Sequence, residues 1–188
     1  MALQLVPFGT LADGRPVRLA RIERGAIVLE VTEYGAAVRS LRVGGVETVL
    51  GFGSLDSYVA DQSYQGVIVG RVANRIAAAA FEIDGERYQV TANEGTNCLH
   101  GGRLGFDKRL WRFAEISDER VTLVYASDDG EEGFPGALDV EVSFRLVDDG
   151  LLLARVRARR PLLLPAEDGH RAARGGLRDA AGDERDAA

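Results

Sequence analysis

The chain has 188 residues, 46% hydrophobic and 28% charged, enough for one domain with a buried core. A net charge of −6 argues against a nucleic-acid partner held through phosphate contacts and disfavours an anionic membrane surface. The single cysteine, Cys98, excludes an intrachain disulfide and a cysteine-based metal site, and no run approaches the roughly 18 apolar residues of a membrane span.

The N-terminus shows no basic region followed by an apolar run, so a cytoplasmic location is expected. Val17 to Ile22 reads as a first strand, Arg24-Gly25 as a turn, and Ile27 to Thr32 as a second strand. Glu33-Tyr34-Gly35 breaks the pattern. Val38, Leu41 and Val43 start another extended run, which Gly44-Gly45 turns as a hairpin, and Val46 to Leu50 returns. Leu55 to Gln62 reads as a loop or a short helical turn. Val67-Ile68-Val69 is a short continuous apolar run, the pattern of a strand buried on both faces.

Phe81 and Ile83 alternate with Glu82, and Tyr88 and Val90 alternate back. Asp84-Gly85 lies between them, the pair favoured where both central turn residues need positive φ. Asn93 to Gly105 is a glycine- and asparagine-rich loop longer than most connections, the kind that often carries function. Trp111 to Ile116 and Val121 to Ala126 predict another strand pair. Ser127 to Gly136 is an acidic loop, and its Asp128 to Glu132 part is read as a solvated turn rather than a cation site because it lacks calcium-loop spacing. Leu138, Val140, Val142, Phe144 and Leu146 alternate without a break, which predicts a half-buried strand. Asp148-Asp149-Gly150 then turns the chain and Leu151 to Val156 returns. The expectation is an all-β, antiparallel chain with almost no helix before residue 160.

From Ala166 to Ala188 the composition changes. Leu177 is the only large apolar residue there, so little burial can oppose the entropy of ordering. Two units are therefore expected: a β body over residues 1–158 and a disordered or weakly helical tail over 159–188.

The residues suited to chemistry cluster between Gly66 and Trp111. Asn74 and Arg75 offer amide and guanidinium donors side by side, and a guanidinium fork suits two neighbouring hydroxyls or a carboxylate. Taken alone, Arg75 also fits a local cap or ion pair. His100 stands in a loop before Gly101 and Gly102, off any apolar strand face. Its imidazole can exchange a proton near neutral pH, and the glycines would let the backbone approach a ligand. Taken alone, a structural role fits His100 as well. No second histidine or carboxylate stands at metal-ligand spacing beside it. Phe106 and Trp111 fit the core better than a sugar-stacking role, and Cys98 reads as a small, partly buried residue.

The order of these motifs resembles the aldose 1-epimerases, also called galactose mutarotases. G-R-V-A-N-R-I, a D-G hairpin, N-x-L-H-G-G and G-F-D-K-x-x-W occur in sequence here. So do E-Y-G-A at Glu33 to Ala36, L-G-F-x-S-L-x-x-Y at Leu50 to Tyr58, and the later D-G-E-E-G-F-P-G. The resemblance runs to about residue 158. It implies a β-sandwich of the mutarotase type and cofactor-free interconversion of the α and β anomers of a free aldohexose such as galactose or glucose. It implies that Asn74, Arg75 and His100 hold the sugar, with His100 in a supporting catalytic role.

The family's proton donor, a second histidine in T-N-H-x-Y-F-N-L, and its glutamate base have no match here. His170 lies in roughly the right region, but its neighbours differ and the role is not carried over. The switch to an Ala/Arg/Gly/Asp tail reads as a frame shift followed by a premature stop. A truncated chain with little or no turnover is the resulting expectation. A hexose-phosphate enzyme remains an alternative, given Arg71, Arg103 and Arg109, as does a non-catalytic carbohydrate-binding protein.

Overall fold

The computed structural model describes residues 4–147 and 152–159. The expected turn at Asp148-Asp149-Gly150, the tail from Ala166 to Ala188 and His170 lie outside the described residues. The first sheet has five antiparallel strands in sequential order: β1 (Gln4–Thr10), β2 (Pro16–Arg24), β3 (Ile27–Thr32), β4 (Val38–Val43) and β5 (Val46–Glu47). The one α-helix among the described residues, α1 (Leu55–Ala60), follows, with Ser54 accepting the Ser57 N–H as its N-terminal cap. Two small antiparallel pairs come next. β6 (Arg75–Ile76) pairs with β9 (Cys98–Leu99), and β7 (Ala80–Ile83) pairs with β8 (Glu86–Gln89). The last sheet is β10 (Arg112–Ile116), β11 (Arg120–Ser127), β12 (Leu138–Leu146) and β13 (Leu152–Arg159), again antiparallel and sequential.

The period-2 pattern explains why the two large sheets meet. On one face of β2 and β3, Ala20 opposes Val31 and Ile22 opposes Leu29, and all four are fully buried. On the other face Arg21 opposes Glu30, which binds both Arg21 at 3.0 Å and Arg39. β11 and β12 repeat the arrangement. Val121 faces Phe144 and Leu123 faces Val142 in the core, while Thr122 and Ser143 share a 2.9 Å hydrogen bond on the outer face. The apolar faces of both sheets join one core.

Trp111 fills the centre of that core at 1% exposure. Its Nε1–H donates to Phe106 C=O at 3.0 Å, and its ring lies 5.9 Å from Phe106 and 5.5 Å from Tyr125. The Glu33-Tyr34-Gly35 segment leads the chain across. Gly35 N–H donates to Arg109 C=O at 2.8 Å, and Trp111 N–H donates to Glu33 C=O at 2.8 Å. The break in alternation at these residues is therefore the link between the sheets. Arg18 grips the buried Glu33 carboxylate through its backbone N–H at 2.9 Å and its guanidinium.

The all-β, antiparallel expectation holds, as does the hairpin at Asp84-Gly85, where φ is +53° and +79°. The short helical turn of the Leu55 to Gln62 alternative is α1. Three expectations are corrected. Val67-Ile68-Val69 is not a doubly buried strand. All three residues are half-buried, and the run joins no sheet. Ile68 N–H donates to Gly35 C=O, and Gly66 C=O accepts from Val38 N–H, both at 2.9 Å. The returning strand at Val46 stops at Glu47, because the Thr48 N–H and hydroxyl both turn back onto Leu41 C=O. Cys98 is fully rather than partly buried, in a small core with Val90 and Phe134.

Trp111→Ala removes the largest fully buried side chain among the described residues and takes away one of the two hydrogen bonds to Phe106 C=O, leaving the 3.3 Å bond from Arg109 N–H. We expect a loss of about 3–5 kcal/mol in urea unfolding. A loss below about 1 kcal/mol would show that the two sheets do not depend on this contact.

Candidate active site

The three residues singled out in the sequence are neighbours. β6 places Arg75 opposite Leu99 of β9, and His100 is the next residue. Two reciprocal bonds then lock the segments. His100 N–H donates to Asn74 C=O at 3.0 Å, and Asn74 N–H donates to His100 Nδ1 at 3.0 Å. Because Nδ1 accepts, the proton of the neutral imidazole sits on Nε2, which makes the outer ring nitrogen a donor. Tyr64 packs its ring edge-on to the imidazole with centroids 4.6 Å apart. Asn74 and Arg75 are exposed and His100 is half-buried.

Asn74 and His100 both adopt positive φ, +69° and +54°. Such backbone is costly away from glycine and tolerated best by residues such as Asn and His, so it persists only where the surroundings fix it. Asn93 donates to Leu99 C=O at 2.9 Å and Gly102 C=O at 2.8 Å, and accepts from Leu99 N–H at 2.6 Å. Beneath the pair, Ile76 and Cys98 rest on Ala79, Val90, Phe81 and Phe134.

The glycines after His100 do something other than expected. A Cβ at Gly101 would overlap Gly70 C=O, and one at Gly102 would overlap the Glu132 carboxylate. Their close approach is to other parts of this chain, and it seats the loop rather than opening it to a ligand.

Four residues near the site went unread or misread in the sequence. Arg75 is held by Glu94, whose Oε1 and Oε2 each accept at 2.6 Å. Arg75 holds the Glu94 carboxyl below its usual range. Arg71 spends its guanidinium on the acidic loop, donating to Ser127 Oγ at 2.9 Å, Ser127 C=O at 3.2 Å, Pro135 C=O at 3.1 Å, and the Asp128 and Gly136 carbonyls. Asp128, Asp129 and Gly130 are exposed, as expected of a solvated turn, but Glu131 and Glu132 are not. Glu131 is mostly buried and accepts from Tyr125 Oη and from Ser127 Oγ, and Glu132 accepts from Arg103 N–H at 2.9 Å. Burial pushes the Tyr125 hydroxyl up, and its bond to Glu131 adds to the effect.

Asp107 is the fourth. Its carboxyl is buried, close enough to Tyr34 and Tyr64 for its charge to add to the burial that pushes both hydroxyls up, and burial pushes its own pKa up from 3.8 to about 6, with Lys108 offsetting only part. The sequence signal for Glu94 was its place in the long polar loop. For Arg71 and Asp107 no local signal exists, because their partners lie far along the chain or depend on burial.

Of the arginines that left a phosphate site open, Arg71 is fully committed elsewhere, while Arg103 and Arg109 are engaged only in part, the buried Arg109 Nε having no hydrogen-bond partner. Arg71 serves the loop carbonyls, Arg103 Nε donates to Ala92 C=O at 3.2 Å, and Arg109 faces Glu131 at 3.6 Å. Among the described residues no group of three or more His, Cys, Asp or Glu is placed to hold a metal ion, and no helix is long and apolar enough to cross a membrane.

Comparison with known proteins bears on this arrangement. The pattern of the family described as Aldose 1-epimerase matches residues 18–161. The chain is 39% identical to the aldose 1-epimerase of Escherichia coli K12 over 152 residues, covering 78% of this chain and 44% of that protein. It is 37% identical to human galactose mutarotase over 164 residues, covering 84% and 47%. Among solved structures, a galactose 1-epimerase from Lactobacillus acidophilus aligns with a TM-score of 0.77 at 26% identity, covering 85% of this chain and 49% of its own. A C. elegans aldose epimerase homologue aligns with a TM-score of 0.71 at 25% identity, covering 85% and 47%. The chain thus spans about half the length of the curated relatives it matches.

Two outcomes follow from the buried charges. Arg71→Lys keeps the charge but loses the planar fork, leaving loop carbonyls unpaired. Stability should fall by about 2–3 kcal/mol, with faster amide exchange across residues 127–136. Unchanged exchange there would contradict the role given to Arg71. For Asp107 the folded pKa lies above the unfolded one. Its contribution is therefore fully present below about pH 4 and lost as pH rises through about 6. Asp107→Asn should gain about 2–3 kcal/mol over wild type at about pH 7, relative to the difference at about pH 4. Equal differences at the two pH values, measured by denaturant unfolding, would rule this out.

Proposed function

The chain belongs to the aldose 1-epimerase family, and from that premise we propose that Asn74, Arg75 and His100 hold a free aldohexose, galactose or glucose, for anomer exchange. One observation carries the reading. The Asn74 N–H bond to His100 Nδ1 ties the two segments together and leaves Nε2–H as the ring's donor, with Arg75 the residue after Asn74. Hydrogen-bond donors grouped in this way suit hydroxyls and a ring oxygen.

Anomer exchange opens the ring. A base takes the anomeric proton, an acid protonates the ring oxygen, the C1–C2 bond turns, and closure delivers the other anomer. In this chain His100 Nε2–H would polarise or orient the ring, and Arg75 and Asn74 would hold neighbouring hydroxyls. Proton removal needs a further group. Glu94 is a poor base because Arg75 stabilises its ionised form. Binding without a paired acid and base leaves most of the barrier in place, since only interactions stronger in the transition state speed the step. We therefore assign residues 1–158 the sugar-holding part of a mutarotase fold, with little or no turnover from the chain as it stands. The hexose-phosphate alternative is disfavoured at Arg71, whose guanidinium is taken up by Ser127 Oγ and loop carbonyls.

Amide NMR titration with D-galactose and D-glucose, with mannitol as an open-chain control, tests the binding. Shifts centred on Asn74, Arg75 and His100 with the sugars, and lost in His100→Ala, are expected. Shifts spread elsewhere, or equal with mannitol, would overturn the assignment. Polarimetry of fresh α-D-galactose tests turnover. Relaxation at the buffer rate is expected, and acceleration that His100→Ala abolishes would overturn the low-activity reading and support a complete enzyme.

A further inference from the structure

The Arg75–Glu94 pair has a geometry that bears on which sugars the site can take. Arginine has five N–H donors. Nε donates to Glu94 Oε2 and Nη2 donates to Glu94 Oε1, each at 2.6 Å, while Nη1 donates to Asn74 Oδ1 at 3.3 Å. Three donors are used. One N–H remains on each terminal nitrogen, two donors on one guanidinium that neighbouring oxygens can accept from.

An exposed ion pair is ordinarily of little consequence, because ordering two long side chains cancels the attraction. Here that cost is reduced on the acid side. Glu94 N–H donates to Asn97 C=O at 3.1 Å, and Glu94 C=O accepts from Asn97 N–H at 2.9 Å. The adjacent Asn93 side chain staples the same loop to Leu99 and Gly102. The carboxylate is therefore delivered to Arg75 by a fixed backbone, in a two-pronged contact.

The pair also sets the charge of the site. Arg75 is the cation of the Asn74, Arg75 and His100 group, and Glu94 neutralises it. An anion approaching the remaining donors would meet a carboxylate already seated on the same guanidinium. Like charges at this separation oppose binding, while hydroxyls meet no such penalty.

We propose that Glu94 is a specificity-determining residue. By holding Arg75 in a two-pronged contact and cancelling its charge, it selects the neighbouring hydroxyls of an uncharged sugar and turns away sugars bearing a carboxylate or phosphate. The inference rests on the sugar-holding role given above to Asn74, Arg75 and His100. It assigns a task to a residue that the chain's motif left unread, and it makes neutrality of the ligand a property of one side chain.

Wild type and Glu94→Gln are compared by NMR titration with D-galactose and with D-galacturonate, which carries a carboxylate on the same ring. Glutamine keeps the length and one acceptor but removes the charge. Wild type should prefer galactose by about tenfold or more, and the variant should lose most of that preference, through weaker galactose binding, stronger galacturonate binding, or both. The Arg75 Nε–H resonance provides a readout without sugar. It should exchange slowly in wild type and fast in the variant, while the thermal midpoint stays the same because the pair is at the surface. If both proteins bind sugar with the same preference, the inference about Glu94 is wrong and the sugar-holding role stands. If wild type binds neither ligand, the sugar-holding role fails and the inference falls with it. An Arg75 signal that is fast in both proteins would show that Glu94 does not hold the guanidinium.

Discussion

The guanidinium of Arg71 is the contact on which the arrangement of the site depends. It reaches across to the loop between β11 and β12 and takes up a hydroxyl and four backbone carbonyls there. Burial pulls its pKa down, and Glu131 and Asp129 push it back up. Glu131 holds Tyr125 and Ser127 in turn, so the charges are balanced within one connected group. Immediately before Arg71, Gly70 C=O accepts from Phe106 N–H at 3.2 Å and fills the space left by the missing Cβ of Gly101. The strand that presents Asn74 and Arg75 is therefore fastened to the second sheet on one side and to the His100 loop on the other.

That fastening explains how an exposed group can be preorganised. Asn74 and Arg75 are at the surface, where side chains and backbone usually sample several states. Their freedom is removed from below, by a small apolar core, and from the side, by hydrogen bonds to backbone groups of separate segments. A site built this way holds positive-φ residues at fixed positions without needing a ligand to order them.

Most of the strands were legible because alternation is a local property. β12 is the clearest case: Val140, Val142, Phe144 and Leu146 are buried while the residues between them face out. β1 was not read, because an irregularity between Pro7 and Gly9 breaks its pairing and its residues are mostly exposed. Val67-Ile68-Val69 was misread for the opposite reason. A continuous apolar run does not distinguish a ladder from an extended segment with isolated bonds. At the site, motif order brought out Asn74, Arg75 and His100. Glu94 could not be separated from the other polar residues of its loop. The role of Arg71 could not be read at all, since its partners begin 56 residues further on.

The chemistry of the group also constrains how labour is divided in such a site. Asn74 N–H occupies His100 Nδ1, so the neutral ring can donate from Nε2 but cannot also accept there. Glu94, the nearest carboxylate by its bonds to Arg75, is stabilised in its ionised form and so takes up a proton less readily. Each change that makes these residues better at holding hydroxyls makes them worse at removing a proton. Under the proposed sugar-holding role, this donor-rich face would grip and polarise the ring, and a base for the anomeric hydroxyl would have to come from a group with a different environment. That requirement follows from the hydrogen-bond pattern among the described residues.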